Sequence, residues 1–109
     1  MIAVSPSEKN EVTAIIKKHA PHCKVLVIGS RMKGTHRKSS DLDLVFVGEK
    51  RLDLGAIGAL KEDFMESGIP FKVDVLDYYA VSPAFRAIID RGNVVLYDGG
   101  GEPPAPSPA

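Results

Sequence analysis

What the 109-residue sequence has little of narrows what it can be. Its one cysteine, Cys23, leaves no partner for a disulfide within the chain, so a reducing compartment is expected. An excess of either charge is missing too, with 14 Lys and Arg against 14 Asp and Glu. No overall field therefore draws the chain to nucleic acid or membrane, and any basic patch has to be local. No apolar run approaches the roughly 20 residues that span a bilayer. A basic n-region followed by an apolar h-region is also lacking at the start, so a secretory leader is not expected. The simplest expectation is a cytoplasmic protein with no membrane partner. Internal repeats are absent. What remains is ordinary for a folded domain, 44% apolar and 26% charged, with length for one modest core but not for a second, substrate-holding lobe.

Ser5, Pro6 and Glu8 read as a capping box with proline in the first turn, and Val12, Ile15, Ile16 and His19 follow at helical spacing until Pro21. Residues 24–28, apolar on both faces, predict a strand covered by helices. Residues 41–47 predict a second strand. Residues 53–66 predict a helix with Leu54, Ile57, Leu60, Phe64 and Met65 inward, closed by Ser67 and Gly68. A third strand is expected over residues 71–76, with Val73 and Val75 on one face and Lys72 and Asp74 on the other. Ser82 and Pro83 start a last helix with Phe85, Ile88 and Ile89 inward and Gly92 after it, and residues 94–97 suit a short final strand. Parallel neighbours need a longer connection than the one between the first two strands, which favours a mixed sheet. The expected fold is α/β: a small mixed sheet of three to four strands with helices packed on it. Residues 1–97 are expected to form the domain and residues 98–109 a flexible Gly- and Pro-rich tail.

The chemistry concentrates between residues 29 and 43. Asp41 and Asp43, two apart on a strand, project from one face with Cα atoms roughly 7 Å apart, while Leu42 and Leu44 enter the core. Two carboxylates so close repel, and a divalent cation relieves the repulsion. Mg²⁺ suits a few carboxylates together with substrate phosphate oxygens. Asp74 is the natural third carboxylate if the second and third strands are neighbours; Asp77 should face the other way. With two ions about 3.5–4 Å apart, one activates an acceptor hydroxyl and the other neutralises the leaving pyrophosphate. Asp41 and Asp43 would bridge both ions, and Asp74 would hold the first and help take the hydroxyl proton. Gly29, without a Cβ, lets backbone approach a triphosphate, and Ser30 offers a hydroxyl and an N–H. Arg31, Lys33, Arg37 and Lys38 are available for phosphate charge, Arg31 foremost because it follows the turn directly.

Gly29-Ser30, ten intervening residues, Asp41-Leu42-Asp43 and the later Asp74 resemble the motif of the minimal nucleotidyltransferases of the polymerase-beta-like superfamily. The resemblance extends over about residues 10–97, and its small members look like the MNT antitoxins that pair with HEPN toxins. It implies a polymerase-beta-like nucleotidyltransferase fold, metal ligation by Asp41, Asp43 and Asp74, and nucleotide contacts at Gly29 and Ser30. It further implies Mg²⁺ and ATP, with AMP transferred to a tyrosine hydroxyl of a HEPN-type toxin in a hetero-oligomer. The preference for adenine comes from the resemblance alone. Independently, a catalytic domain too short to build an acceptor lobe must meet its acceptor on another molecule.

Competing readings exist for each feature. Asp41 and Asp43 also suit a turn before a strand. Residues 29–35 evoke a phosphate loop, but Thr35-His36 stands where Lys-Ser/Thr is required. His19, His22 and Cys23 fit no familiar zinc spacing and lack a fourth ligand, so they are expected at the surface or in the core. Tyr78, Tyr79 and Phe85 are expected to pack rather than to stack on a base. The basic loop balances phosphate steering against plain solvation. The expected function is Mg²⁺-dependent AMP transfer from ATP to a partner protein, a protein adenylyltransferase acting as antitoxin. The alternatives are a non-catalytic module that neutralises its partner by binding, and a transferase for small molecules such as aminoglycosides. Nucleic acid is not expected as direct substrate.

Overall fold

The computed structural model describes residues 4–29 and 41–100, and these form four strands and three helices. Helix α1 (Pro6–His19) starts as its sequence dictates: the Ser5 side chain accepts the Glu8 N–H at 3.2 Å and Glu8 accepts the Ser5 N–H at 2.8 Å. Proline in its first turn has no N–H to leave unsatisfied. The remaining elements are β1 (Lys24–Ile28), β2 (Leu42–Val47), α2 (Leu54–Glu66), β3 (Val73–Asp77), α3 (Pro83–Arg91) and β4 (Val94–Asp98). The described helices include none long and apolar enough to cross a membrane.

The sheet order is β3-β2-β1-β4. β1 runs antiparallel to both β2 and β4, whereas β2 and β3 are parallel. The mixed sheet expected from the short β1–β2 connection is therefore present. The β2–β3 pair is parallel because α2 supplies the crossover that parallel neighbours need.

Alternation along the strands divides the interior. Val25, Val27, Leu42, Leu44, Phe46, Val73 and Val75 pack with Val12 and Ile16 of α1 and Leu60 and Phe64 of α2. Leu26, Val45 and Val47 turn to the other face, against Ile89 of α3. Ile16, Leu60 and Phe46 are wholly buried, and each such side chain stabilises the fold by about 1.5–3 kcal/mol.

Several local expectations are corrected. Leu54, Met65 and Ile88, expected inward, are exposed. A helix advances 3.6 residues per turn, so Leu54 and Met65 lie about 120–140° round α2 from Leu60, and Ile88 lies about 100° round α3 from Ile89. Ser67 rather than Gly68 caps α2, in extended conformation, its N–H and hydroxyl both turned to the Phe64 carbonyl. Gly68 instead donates its N–H to Glu11 of α1 at 2.8 Å. Asp98 and Gly99, expected in a flexible tail, are held by the sheet: Asp98 pairs with Lys24 and the Gly99 N–H bonds the Cys23 carbonyl at 2.9 Å. A Cβ on Gly99 would collide with the backbone of Pro21 and Cys23. Residues 101–109 lie outside the described residues.

Candidate active site

The β1–β2 pairing places Ile28 opposite Asp43, and the β2–β3 pairing places Asp43 opposite Asp74. Gly29 follows Ile28 directly, so the three sit side by side at one end of the sheet, in the order Asp74, Asp43, Gly29. Asp43 shares its side of β2 with Val45 and Val47, and Asp74 shares its side of β3 with Leu76. Both carboxylates therefore lie on the α3 face, and both are only partly buried. Had Asp74 fallen on the opposite face, the two aspartates could not have met.

They do meet. The Asp43 carboxyl is pushed up to about 6, first by burial, then by a hydrogen bond with Asp74 and by the charges of Asp74 and Asp41. Lys72 opposes this rise, and its Nζ stands 3.4 Å from Asp74 Oδ1. Asp41 lies one residue before β2 and is exposed, so it reaches Asp43 through its charge. Among the described residues no three His, Cys, Asp or Glu side chains are already gathered in metal-holding geometry.

Gly29 is in the left-handed region, φ 85°, and a Cβ there would come within 2.8 Å of Asp43 Oδ2. Glycine is required twice over, for the backbone conformation and for room beside the carboxylate. Ser30, Arg31, Lys33, Arg37 and Lys38 lie outside the described residues.

The donor set fits a hard divalent cation. The two carboxylates face each other across adjacent strands, and a proton between them or a cation in its place relieves their repulsion. Oxygen donors of this kind, with substrate oxygens completing the shell, suit Mg²⁺.

Asp77, the fourth acidic residue of this region, has another task. It is buried, 5% exposed, and accepts the N–H of Leu52 at 2.6 Å and of Tyr79 at 3.0 Å. It thereby stitches the approach to α2 onto the end of β3. Reasoning from sequence missed Lys72 as a partner of Asp74, although two residues apart on one face is the spacing that brings such a pair together. His19, weighed as a metal ligand with His22 and Cys23, instead has Nε2 2.6 Å from Asp63 Oδ2, joining α1 to α2, and Cys23 is buried. Tyr78 and Tyr79 are anchored through their hydroxyls, to Asp90 at 2.9 Å and to the Gly48 carbonyl at 3.0 Å.

A glycine turn after one strand, an aspartate on the next and a facing aspartate on a third make an acidic rim at one end of the sheet. Residues 10–100 match the family described as Polymerase beta, Nucleotidyltransferase. The chain belongs to that family. It is similar to the probable protein adenylyltransferase MntA of Haemophilus influenzae, 42% identical over 87 residues, which cover 80% of this chain and 76% of the relative. Among solved structures it resembles a toxin–antitoxin crystallised with AMP-PNP, with TM-score 0.70, 21% identity, and coverage of 83% of this chain and 73% of that one. It also resembles the complex of tri-AMPylated HEPN toxin with MNT antitoxin from Shewanella oneidensis, with TM-score 0.64, 17% identity, and coverage of 84% and 71%. At such identities the structural likenesses establish the fold.

Proposed function

We propose that this chain is a magnesium-dependent protein adenylyltransferase that transfers AMP from ATP to a tyrosine hydroxyl of a HEPN-type toxin and so acts as its antitoxin. The facing carboxyls of Asp43 and Asp74 beside Gly29 carry this reading. The similarity to a probable protein adenylyltransferase and to an AMPylated toxin complex supports the choice of AMP and of a protein acceptor.

Asp41, Asp43 and Asp74 would hold two magnesium ions, which supply neutralisation of the triphosphate and acidification of the acceptor hydroxyl. Gly29 keeps the space beside Asp43 clear for the phosphate chain. Ser30 and Arg31, next in sequence after Gly29, would supply the hydroxyl and the positive charge for the phosphates. The acceptor oxygen bonds to the α-phosphorus as the bond from that phosphorus to the bridging oxygen breaks. Pyrophosphate leaves with that electron pair, and the acceptor proton passes to the Asp74 carboxylate.

Asp43→Asn is the direct test. It should lower transfer of labelled AMP to a purified HEPN-type acceptor by more than about a hundredfold, or ~3 kcal/mol in the barrier. The variant should remain folded, because the substitution removes a charge from a repelling pair. Undiminished labelling would refute the reading. Undiminished protection of cells by a variant that no longer labels would show that the antitoxin acts by binding.

A further inference from the structure

Strand order fixes a direction across the site. Asp74, Asp43 and Gly29 follow one another along the rim because β3, β2 and β1 do. On the reading proposed above, the triphosphate lies on the Gly29 flank, so pyrophosphate departs there. Phosphoryl-type transfers place the attacking and leaving oxygens roughly in line on opposite sides of phosphorus. The acceptor hydroxyl must then arrive on the Asp74 flank, over β3, which is an edge of the described sheet.

Beside that edge, between α2 and β3, is a groove of about 310 Å³. Phe64, Ile69 and Val73 give it an apolar lining, and Met65, 84% exposed, stands at its margin. So exposed, Met65 covers little among the described residues. The charged residues lining the groove are two lysines, Lys61 and Lys72, with no carboxylate among them. Lys61 makes no salt bridge among the described residues. Lys72 stands between the two places: it is among the residues that border the groove, and its Nζ reaches Asp74 Oδ1 at 3.4 Å. The groove opens on the α2 face and the Asp74 carboxylate on the α3 face, so a segment seated in the groove reaches that carboxylate round the β3 edge, past Lys72.

We infer that this groove docks the acceptor protein, receiving a segment near the modified hydroxyl that carries an apolar side chain beside a carboxylate. The apolar side chain fills the space between Phe64, Ile69 and Met65, and the carboxylate meets Lys61. The volume suits one or two side chains, so the groove fixes register while the remaining contacts of the acceptor lie elsewhere. The inference rests on the proposed transfer reaction, and on the direction in which that reaction must run across the sheet.

The test measures AMP transfer to a purified HEPN-type acceptor by the parent, Met65→Glu and Lys61→Glu. Both positions are exposed, so the fold is untouched, and circular dichroism confirms it. KM for the acceptor should rise about tenfold in each variant. The rate at saturating acceptor and the affinity for AMP-PNP should stay at the parental values. Val95→Glu, on the exposed part of β4 at the far edge of the sheet, should leave KM unchanged. A parent that transfers while both groove variants keep the parental KM overturns the docking inference alone. A parent that transfers nothing overturns the reaction, and the docking inference with it. A loss of AMP-PNP affinity in Met65→Glu would place the groove on the nucleotide side and likewise overturn it.

Discussion

Gly29 carries the tightest steric constraint of the site. Its φ of 85° costs an L-residue roughly 1–2 kcal/mol, and a Cβ would press on Asp43 Oδ2 at 2.8 Å. Gly29→Ala should therefore displace Asp43 as well as strain the turn. Transfer activity should fall at least about tenfold, while thermal unfolding drops by several degrees, near the ~4–8 °C that each kcal/mol represents for a domain of this size. A variant with parental activity would mean that the turn has other room to relax. At this scale much was legible in the sequence. Spacing and strand alternation put Asp43 and Asp74 side by side, as the strand register has them, and set Asp77 apart by its odd register. Lys72 was not identified, because a lysine on the flank of a strand is usually solvated and nothing in the sequence says which charge it answers. Asp41 was expected within β2; it stands just outside, since β3 begins at Val73 and offers no partner beyond Leu42.

Among the elements, the approach to α2 depends on a single buried carboxylate. Asp77 accepts the Leu52 N–H at 2.6 Å and the Tyr79 N–H at 3.0 Å. Asp77→Ala leaves the Leu52 N–H buried without its acceptor, a loss of about 1–3 kcal/mol. The denaturant midpoint should fall accordingly with unchanged slope, and AMP-PNP affinity should be retained because the carboxylate rim is on the other face. An unchanged midpoint would show that water replaces the carboxylate. Helix starts were legible because capping is local chemistry, as at Ser5 and Ser82. Helix faces were less so. Leu54, Met65 and Ile88 are apolar, and apolarity alone does not say which turn of a helix meets the sheet.

For the molecule as a whole, the site charges set how stability varies with pH. Folded Asp43 titrates near 6, and an unfolded aspartate near 4. The folded state holds the proton more tightly, so the contribution favours folding at low pH and is lost as pH rises from about 4 through 6. Without divalent cations the parent should lose ~1 kcal/mol across that window relative to Asp43→Asn, a figure reduced for solvent screening of a half-exposed group. Above pH 7, Mg²⁺ at ten times its Kd should return about 1.4 kcal/mol, read as a rise in unfolding temperature that Asp43→Asn lacks. A parent whose stability is flat from pH 4 to 7 would contradict the shared proton. Sheet composition was readable from connection lengths, but strand order was not. The β3-β2-β1-β4 arrangement depends on which apolar faces meet across the core, and no local signal records that.

Gly99 has a practical consequence. Its backbone is wedged against Pro21 and Cys23, beside the first residue of β1, whereas Gly29 and the aspartates occupy the other end of that strand, roughly 13 Å away at the usual rise per residue. A fluorophore attached at the exposed Asp98 therefore starts from the sheet's opposite pole and leaves the acidic rim free for soluble nucleotide and acceptor.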